Sequence, residues 1–372
     1  MSGEPSFLLV SRSGLQSGAE KMLAVLGCAL VEVYKGGYVH CIYSAKGMEK
    51  ILPVGKRNFT KKLDPPLKRV ASNPWLIAIY FFYGFLFLFK MSKFSKKHLI
   101  VFNDLESLLV YWPAALLRKS YFYLHDSHRL EGLKGRLICY VISALVNRIL
   151  VITRSRVKKL SSIGVLNTKY FPNCSYTEFG AFSGHERQNQ NCLTRYKAVS
   201  VGQIAGWKRI EKSIAFIEYL NELGVSIDLE IYGRPDPFSP ESIDYSLEIE
   251  KICKGSKVVC LCGYNDNLKS VYADADFFIS MSINEPFGLA IVEALSYGVP
   301  VIAVEGEGPN EIVDSEVGLL LSEDFKHDAD LISRVMDVVS ISPDKCKARA
   351  DLYSYDVYRE RVRLEFKAEY SI

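Results

Sequence analysis

The chain has 372 residues, 49% of them hydrophobic and 24% charged, with 25 Gly and 14 Pro. At about 100–200 residues per domain this length holds two domains, and the composition excludes a disordered, collagen-like or small disulfide-stapled protein. The formal net charge of +4 hides a divided chain: residues 1–172 hold 26 Lys and Arg against 9 Asp and Glu, whereas residues 173–372 hold 20 against 33.

Unless surface charge has merely drifted, a basic first half faces something anionic, either nucleic acid or an anionic membrane surface. No RNP, KH, zinc-finger or helix-turn-helix pattern stands out, so no nucleic-acid partner is expected. The nine Cys are scattered without a C-x-x-C pair, which points away from a zinc knuckle or a disulfide framework. Cys260 and Cys262, at strand spacing, read as reduced core residues. Met1 to Pro5 carries no basic cluster, and Phe7–Val10 is shorter than the roughly 7–15 apolar residues of a secretory signal, so the expected address is the cytoplasm.

In chain order, short β-branched or aromatic runs at Phe7–Val10, Tyr38–Tyr43, Leu99–Phe102, Tyr121–Leu124 and Ile149–Ile152 alternate with helical patterns. That alternation predicts a parallel sheet covered by helices on both faces, over residues 1–172. Residues 173–196 are polar and aperiodic and read as a linker. A second alternating series follows over 197–350, with strands at Ala198–Val201, Asp228–Tyr232, Val258–Leu261, Phe277–Ile279, Val301–Val304 and Leu319–Leu321. Residues 351–372 close the chain with a charged helical pattern that could reach back to the first domain. The expected fold class is therefore α/β, two Rossmann-like doubly wound domains with the cleft between them as the ligand site.

Between Trp75 and Phe89 lie fifteen residues without a charge, flanked by Lys61, Lys62, Lys68 and Arg69 before and Lys90, Lys93, Lys96 and Lys97 after. As a helix the run would measure about 22 Å at ~1.5 Å per residue, short of the roughly 30 Å hydrocarbon core. Apolar on all sides, it suits a helix buried in the first domain, and its basic flanks suit one seated in a membrane interface. Residues 56–97 are read as a membrane-associating region.

The chemistry-bearing stretch is S-I-N-E-P-F-G-L-A-I-V-E-A-L-S-Y-G-V-P-V-I-A, Ser282–Ala303, in which Glu285 and Glu293 are seven residues apart and Phe287-Gly288-Leu289 opens a helix. Gly288 lets backbone approach a ligand, and the unpaired N–H groups of a helix start face an anion such as a diphosphate. Carboxylates at both ends of that frame can accept hydrogen bonds from sugar hydroxyls, although acids near helix starts are also ordinary dipole partners.

This stretch resembles the retaining glycosyltransferases of the GT-B fold that carry the E-x7-E signature, family 4, the glycosyl transferases group 1. The resemblance implies that Glu285 contacts the donor hexose and Glu293 the ribose, with the amides of Phe287, Gly288 and Leu289 near hexose and diphosphate. V-G-Q-I-A-G-W-K-R, Val201–Arg209, looks like the family's phosphate loop, and L-E-I-Y-G, ending at Gly233, like its next strand and glycine. Lys208 and Arg209 would neutralise the diphosphate, while Gln203 occupies the place of the family's Arg. In the first domain S-G-L-Q-S-G-A-E, Ser13–Glu20, resembles the glycine-rich loop in which Gly18 approaches donor and acceptor. Y-L-H-D, Tyr123–Asp126, makes His125 the histidine beside the reacting sugar.

The family implies front-face substitution without a protein nucleophile, with His125, Glu285 and Lys208 as the reaction-centre residues. No cofactor and no metal are expected: Asp274-Ala-Asp276 is a D-x-D, yet it sits where the family has a helix end entering a strand. The co-substrate is a nucleotide diphosphate sugar. Basicity in the acceptor half points to a lipid-linked saccharide acceptor at the anionic inner-membrane surface, in bacterial O-antigen or other surface-polysaccharide assembly. Two alternatives stand beside this: a catalytically weak membrane partner of a glycan-assembly complex, favoured if Gln203 cripples diphosphate binding, and a sugar-nucleotide 2-epimerase.

Overall fold

The structure, a computed structural model, describes residues 5–11, 18–35, 38–43, 59–63, 82, 98–125, 132–175 and 195–367. Two compact units divide the chain: Met1–Cys174 with Tyr355–Ile372, and Ser175–Ser354.

The first unit is built on a parallel sheet of β1 (Ser6–Ser11), β2 (Tyr38–Tyr43), β3 (Phe59–Leu63), β4 (His98–Phe102), β5 (Ser120–Leu124), β6 (Arg148–Val151) and β7 (Thr168–Tyr170), ordered β3-β2-β1-β4-β5-β6-β7. β1 and β5 are buried along their whole length, as their unbroken apolar runs require of central strands covered on both faces. The strand order reverses at β1, whose neighbours are β2 and β4. Helix Tyr355–Lys367 is part of this unit's core: Phe366 meets the rings of Phe7, Tyr121 and Phe171, and the Tyr358 hydroxyl lies 3.5 Å from that of Tyr123.

The second unit has a parallel sheet of β8 (Tyr196–Val201), β9 (Ile227–Tyr232), β10 (Val259–Gly263), β11 (Phe277–Ser280), β12 (Val301–Val304) and β13 (Gly318–Leu321), ordered β10-β9-β8-β11-β12-β13. It repeats the reversal, at β8 between β9 and β11. Alternation in β9, where Ile227, Leu229 and Ile231 are buried and the residues between them are not, seats one face on helices Ile210–Glu222 and Pro240–Gly255.

Three expectations from sequence need correction. Strands β3 and β7 were not foreseen: β3 carries Lys61 and Lys62 in a five-residue edge strand, a composition that suits an edge better than it signals a strand, and β7 has three residues. The segment assigned to membrane contact thus contributes a strand at 59–63, while Trp75–Phe89 lies outside the described residues except for helical, exposed Phe82. The linker does not begin at residue 173, because Asn173 and Cys174 are buried and Asn173 Oδ1 accepts the Tyr123 hydroxyl at 2.9 Å. Cys260 and Cys262 are exposed, on edge strand β10, and not core residues. Among the described residues no helix is long and apolar enough to cross a membrane.

Candidate functional site

In open α/β sheets ligands bind beyond the carboxyl ends of the strands, where the order reverses. In the second unit a pocket lies at that point, lined by Gly202, Gln203, Lys208, Glu285, Gly288 and Ile291 among others. Each wall has a local cause.

Beyond β8 the chain passes Gly202, whose N–H donates to the Tyr232 carbonyl at 3.0 Å. Gly233 makes this approach possible, since a Cβ there would stand 1.8 Å from the Gly202 carbonyl oxygen. A 3-10 turn at Gly206–Lys208 then gives way to Arg209, the one non-glycine residue of positive φ (50°) among the described residues. That left-handed residue, which costs an L-amino acid about 1 kcal/mol, starts helix Ile210–Glu222 and separates two basic heads. The Lys208 ammonium pairs with Glu285 and sits 4.3 Å over the Trp207 ring, whereas Arg209 reaches Glu323 at 2.9 Å.

Glu285 is held through its carbonyl, which accepts the Gly308 N–H at 3.1 Å. Three residues on, Gly288 adopts φ 100° and ψ 53°, a left-handed conformation open to glycine, and starts helix Leu289–Ser296. No side chain caps that helix, so its positive end is left to the pocket, with Lys208 on the same lining. The helix forms because Ile291, Val292, Ala294 and Leu295 bury one apolar face. Lys208 and Glu285 have side-chain exposures of 16% and 12%: sheltered enough for the pair to be strong, open enough for a ligand to enter.

The pocket therefore brings together Gln203, Lys208, Glu285 and Gly288 of the residues expected from sequence. Arg209, Gly233, Phe287, Leu289 and Glu293 are not part of its lining. Phe287 turns its ring inward, 2% exposed and edge-on to Tyr353 at 5.5 Å, which leaves its backbone for any ligand contact. Glu293 is half-buried within its helix; with burial first and its charge second, the phenols of Tyr272 and Tyr297 are pushed up. Those two rings stack at 5.2 Å. The start of helix Ile210–Glu222 is closed differently, because the Ile210 N–H donates to the Tyr245 hydroxyl at 2.7 Å. Asp276 of the D-x-D accepts the Lys197 N–H at 2.8 Å.

In the first unit Gly18 heads helix Gly18–Val33, and residues 13–17 of the glycine-rich loop lie outside the described residues. His125 follows β5, 9% exposed, with Nε2 3.1 Å from Asn103 Oδ1 and its ring 4.0 Å from that of Tyr123. Burial pulls its imidazole down to about 3, so it is neutral at physiological pH. Sequence reasoning missed Asn103 and the Glu323 partner of Arg209. The available signal for Asn103 was its place in F-N-D, between a strand and Asp104, which caps helix Leu105–Val110 through the Ser107 N–H at 2.7 Å.

Two doubly wound parallel sheets of this order are the GT-B glycosyltransferase fold. The crystal structure of Anabaena HepE in complex with UDP and glucose aligns with 97% of this chain and 99% of its own at TM-score 0.71 and 17% identity. The lipopolysaccharide outer core galactosyltransferase WaaB aligns with 99% of this chain and 100% of its own at TM-score 0.69 and 14% identity. Residues 184–355 match the family model described as glycosyl transferases group 1. The α-1,3/1,6-mannosyltransferase ALG2 of Rhizomucor pusillus is 33% identical over 167 residues, 44% of this chain and 34% of ALG2. The chain thus spans about a third or less of the length of the curated relatives it matches first.

Proposed function

We propose that the chain is a retaining, metal-independent glycosyltransferase that moves a hexose or N-acetylhexosamine from a nucleotide diphosphate sugar to a lipid-linked saccharide acceptor in surface-polysaccharide assembly. The observation that carries this reading is one pocket lined by a lysine, a carboxylate and an uncapped helix start. A diphosphate takes the place of Glu285 beside Lys208 and meets the amides at Gly288, and Glu285, released from the pair, accepts a hydroxyl of the hexose. Complexes of HepE with UDP and glucose support a nucleotide-sugar donor, and the name of WaaB supports an acceptor built on a lipid.

In the transfer the bond from the anomeric carbon to the diphosphate oxygen breaks and a bond to the acceptor oxygen forms on the same face. The acceptor proton passes to the departing diphosphate, and Lys208 with the helix start stabilises the charge that develops there. Glu293 holds the ribose. Donation of the Lys197 N–H to Asp276 favours a structural role for the D-x-D and a reaction without metal. The basic first half supports attachment to the anionic inner face of a cytoplasmic membrane.

Titration calorimetry with UDP- and GDP-sugars tests the reading. Saturable binding of one nucleotide series, weakened about tenfold in Glu293→Ala, is expected; no binding by any of them overturns the reading. Retained activity in EDTA and an axial product linkage from an axial donor check the metal and stereochemical parts, and flotation with anionic liposomes at low salt checks the membrane part. The exposed Gln203, in place of the family's Arg, favours one second reading, a weak catalytic partner within a complex. Gain of donor affinity in Gln203→Arg would identify it.

A further inference from the structure

At the carboxyl end of the first sheet three polar side chains stand on neighbouring strands: Ser11 ends β1, Asn103 follows β4 and His125 follows β5. Their exposures are 1%, 5% and 9%. The register Val10↔Phe102 and the Asn103 N–H bonded to the Val10 carbonyl at 2.9 Å place Ser11 and Asn103 side by side at the point where the strand order reverses. One contact joins two of the three, His125 Nε2 to Asn103 Oδ1. Among the described residues, three atoms of the group have no hydrogen-bond partner: Ser11 Oγ, Asn103 Nδ2 and His125 Nδ1. Each buried, unsatisfied polar atom costs about 1–3 kcal/mol, so a cluster of them asks for a partner from outside the fold.

The chemistry of the cluster is determined by Asn103. A carboxamide oxygen can accept but not donate, so His125 carries its proton on Nε2; in a neutral ring Nδ1 is then a bare lone pair. The ring is braced by Tyr123, whose hydroxyl donates to Asn173 Oδ1 at 2.9 Å. Asn103 is braced by its main-chain bond to β1 and by the capped helix that Asp104 begins. The group thus offers a lone pair, an amide donor and a hydroxyl, without a net charge.

We infer that Asn103 is a positioning residue that fixes His125 as the Nε2–H tautomer, so that His125 Nδ1 accepts and Asn103 Nδ2 donates hydrogen bonds to hydroxyls of a saccharide substrate, with Ser11 Oγ completing the set. The saccharide rests on the transferase reading above, and the tautomer does not. Among the described residues of the cluster an anion would find no cation, and an apolar group would leave the polar atoms unsatisfied; a polyol satisfies all three.

Long-range 1H–15N correlation of the histidine rings in the full-length protein tests this, with His125→Gln assigning the signal. Wild type is expected to show the Nε2–H tautomer, Asn103→Ala a mixture of tautomers, and Asn103→Asp, an acceptor at the same place, the wild-type form again. A wild-type Nδ1–H ring, or an unchanged tautomer in Asn103→Ala, overturns the inference without reference to any ligand. With UDP-glucose and UDP-galactose as probes, Asn103→Ala is expected to lower kcat about tenfold while affinity for UDP stays within about twofold, and Asn103→Asp to recover part of the rate. Turnover at the wild-type rate in Asn103→Ala removes the substrate half of the inference and leaves the transferase reading intact. Failure of every UDP- and GDP-sugar to bind removes both the reading and the saccharide assignment, while the tautomer result stands.

Discussion

The two sheets reverse their strand order in the same way and present opposite chemistry at the reversal. In the acidic half, where residues 173–372 sum to −13, the site residue is a lysine locked to a glutamate. In the basic half, where residues 1–172 sum to +17, it is a histidine kept neutral by burial. The charge of each half is therefore not repeated at its switch point. A paired lysine can exchange its carboxylate for a diphosphate, whereas a neutral, half-satisfied cluster can recognise hydroxyls without competing for that charge.

The comparison breaks most completely if the second site loses its backbone. Gly233→Ala places a methyl 1.8 Å from the Gly202 carbonyl oxygen, main chain against main chain, with no rotamer to relieve it. We expect at least about 3 kcal/mol of lost stability by denaturant unfolding, and loss of nucleotide binding with it. Lys208→Ala comes next. It leaves the 12% exposed Glu285 carboxylate without its cation and removes the charge meant for the diphosphate. A charge-assisted hydrogen bond contributes about 1.5–3 kcal/mol, so affinity for a nucleotide sugar should fall roughly 10- to 100-fold by calorimetry.

These two residues show how legible the molecule is. All six strands of the second sheet could be read from apolar runs, Glu285 and Gly288 from their spacing, and Lys208 from the family resemblance of its loop, because backbone demands and charge leave marks in sequence. What could not be read is pairing. Lys208 and Glu285 are 77 positions apart, and the sequence suggests a separate ligand contact for each where the fold joins them. Likewise His125 is indicated by the family resemblance of Y-L-H-D, but Asn103, 22 positions earlier, becomes its partner through the adjacency of β4 and β5. Strands β3 and β7 escaped because edge strands carry little of the apolar signal that marks central ones.

The neutral site should make stability respond to pH. His125 titrates near 6.5 in an unfolded chain and near 3 when folded, so between those values the unfolded state binds more protons. Stability is then complete above about pH 6.5 and declines as pH falls toward 3, by up to about 1.4 kcal/mol per unit from this group. His125→Gln cannot take up that proton, and its unfolding free energy should fall less steeply between pH 6.5 and 4. Parallel slopes for the two proteins would show that burial does not hold this ring neutral.

The smallest effect separates the two cations of the loop that follows β8. Arg209 pairs with Glu323, whose side chain is 62% exposed, and such a pair contributes about 0–1 kcal/mol. Its left-handed φ of 50° costs about as much. Arg209→Ala loses the pair and keeps the strain, whereas Arg209→Gly loses both, so the glycine variant should be the more stable by about 0.5–1 kcal/mol. Nucleotide-sugar affinity then decides what the arginine does with its freedom. Facing Glu323, outside the pocket lining, it should matter less than Lys208, with a loss of about threefold or less in Arg209→Ala. A loss as large as that of Lys208→Ala would mean that Arg209 abandons Glu323 for the diphosphate, and that the Gly206–Lys208 turn rearranges when the donor arrives.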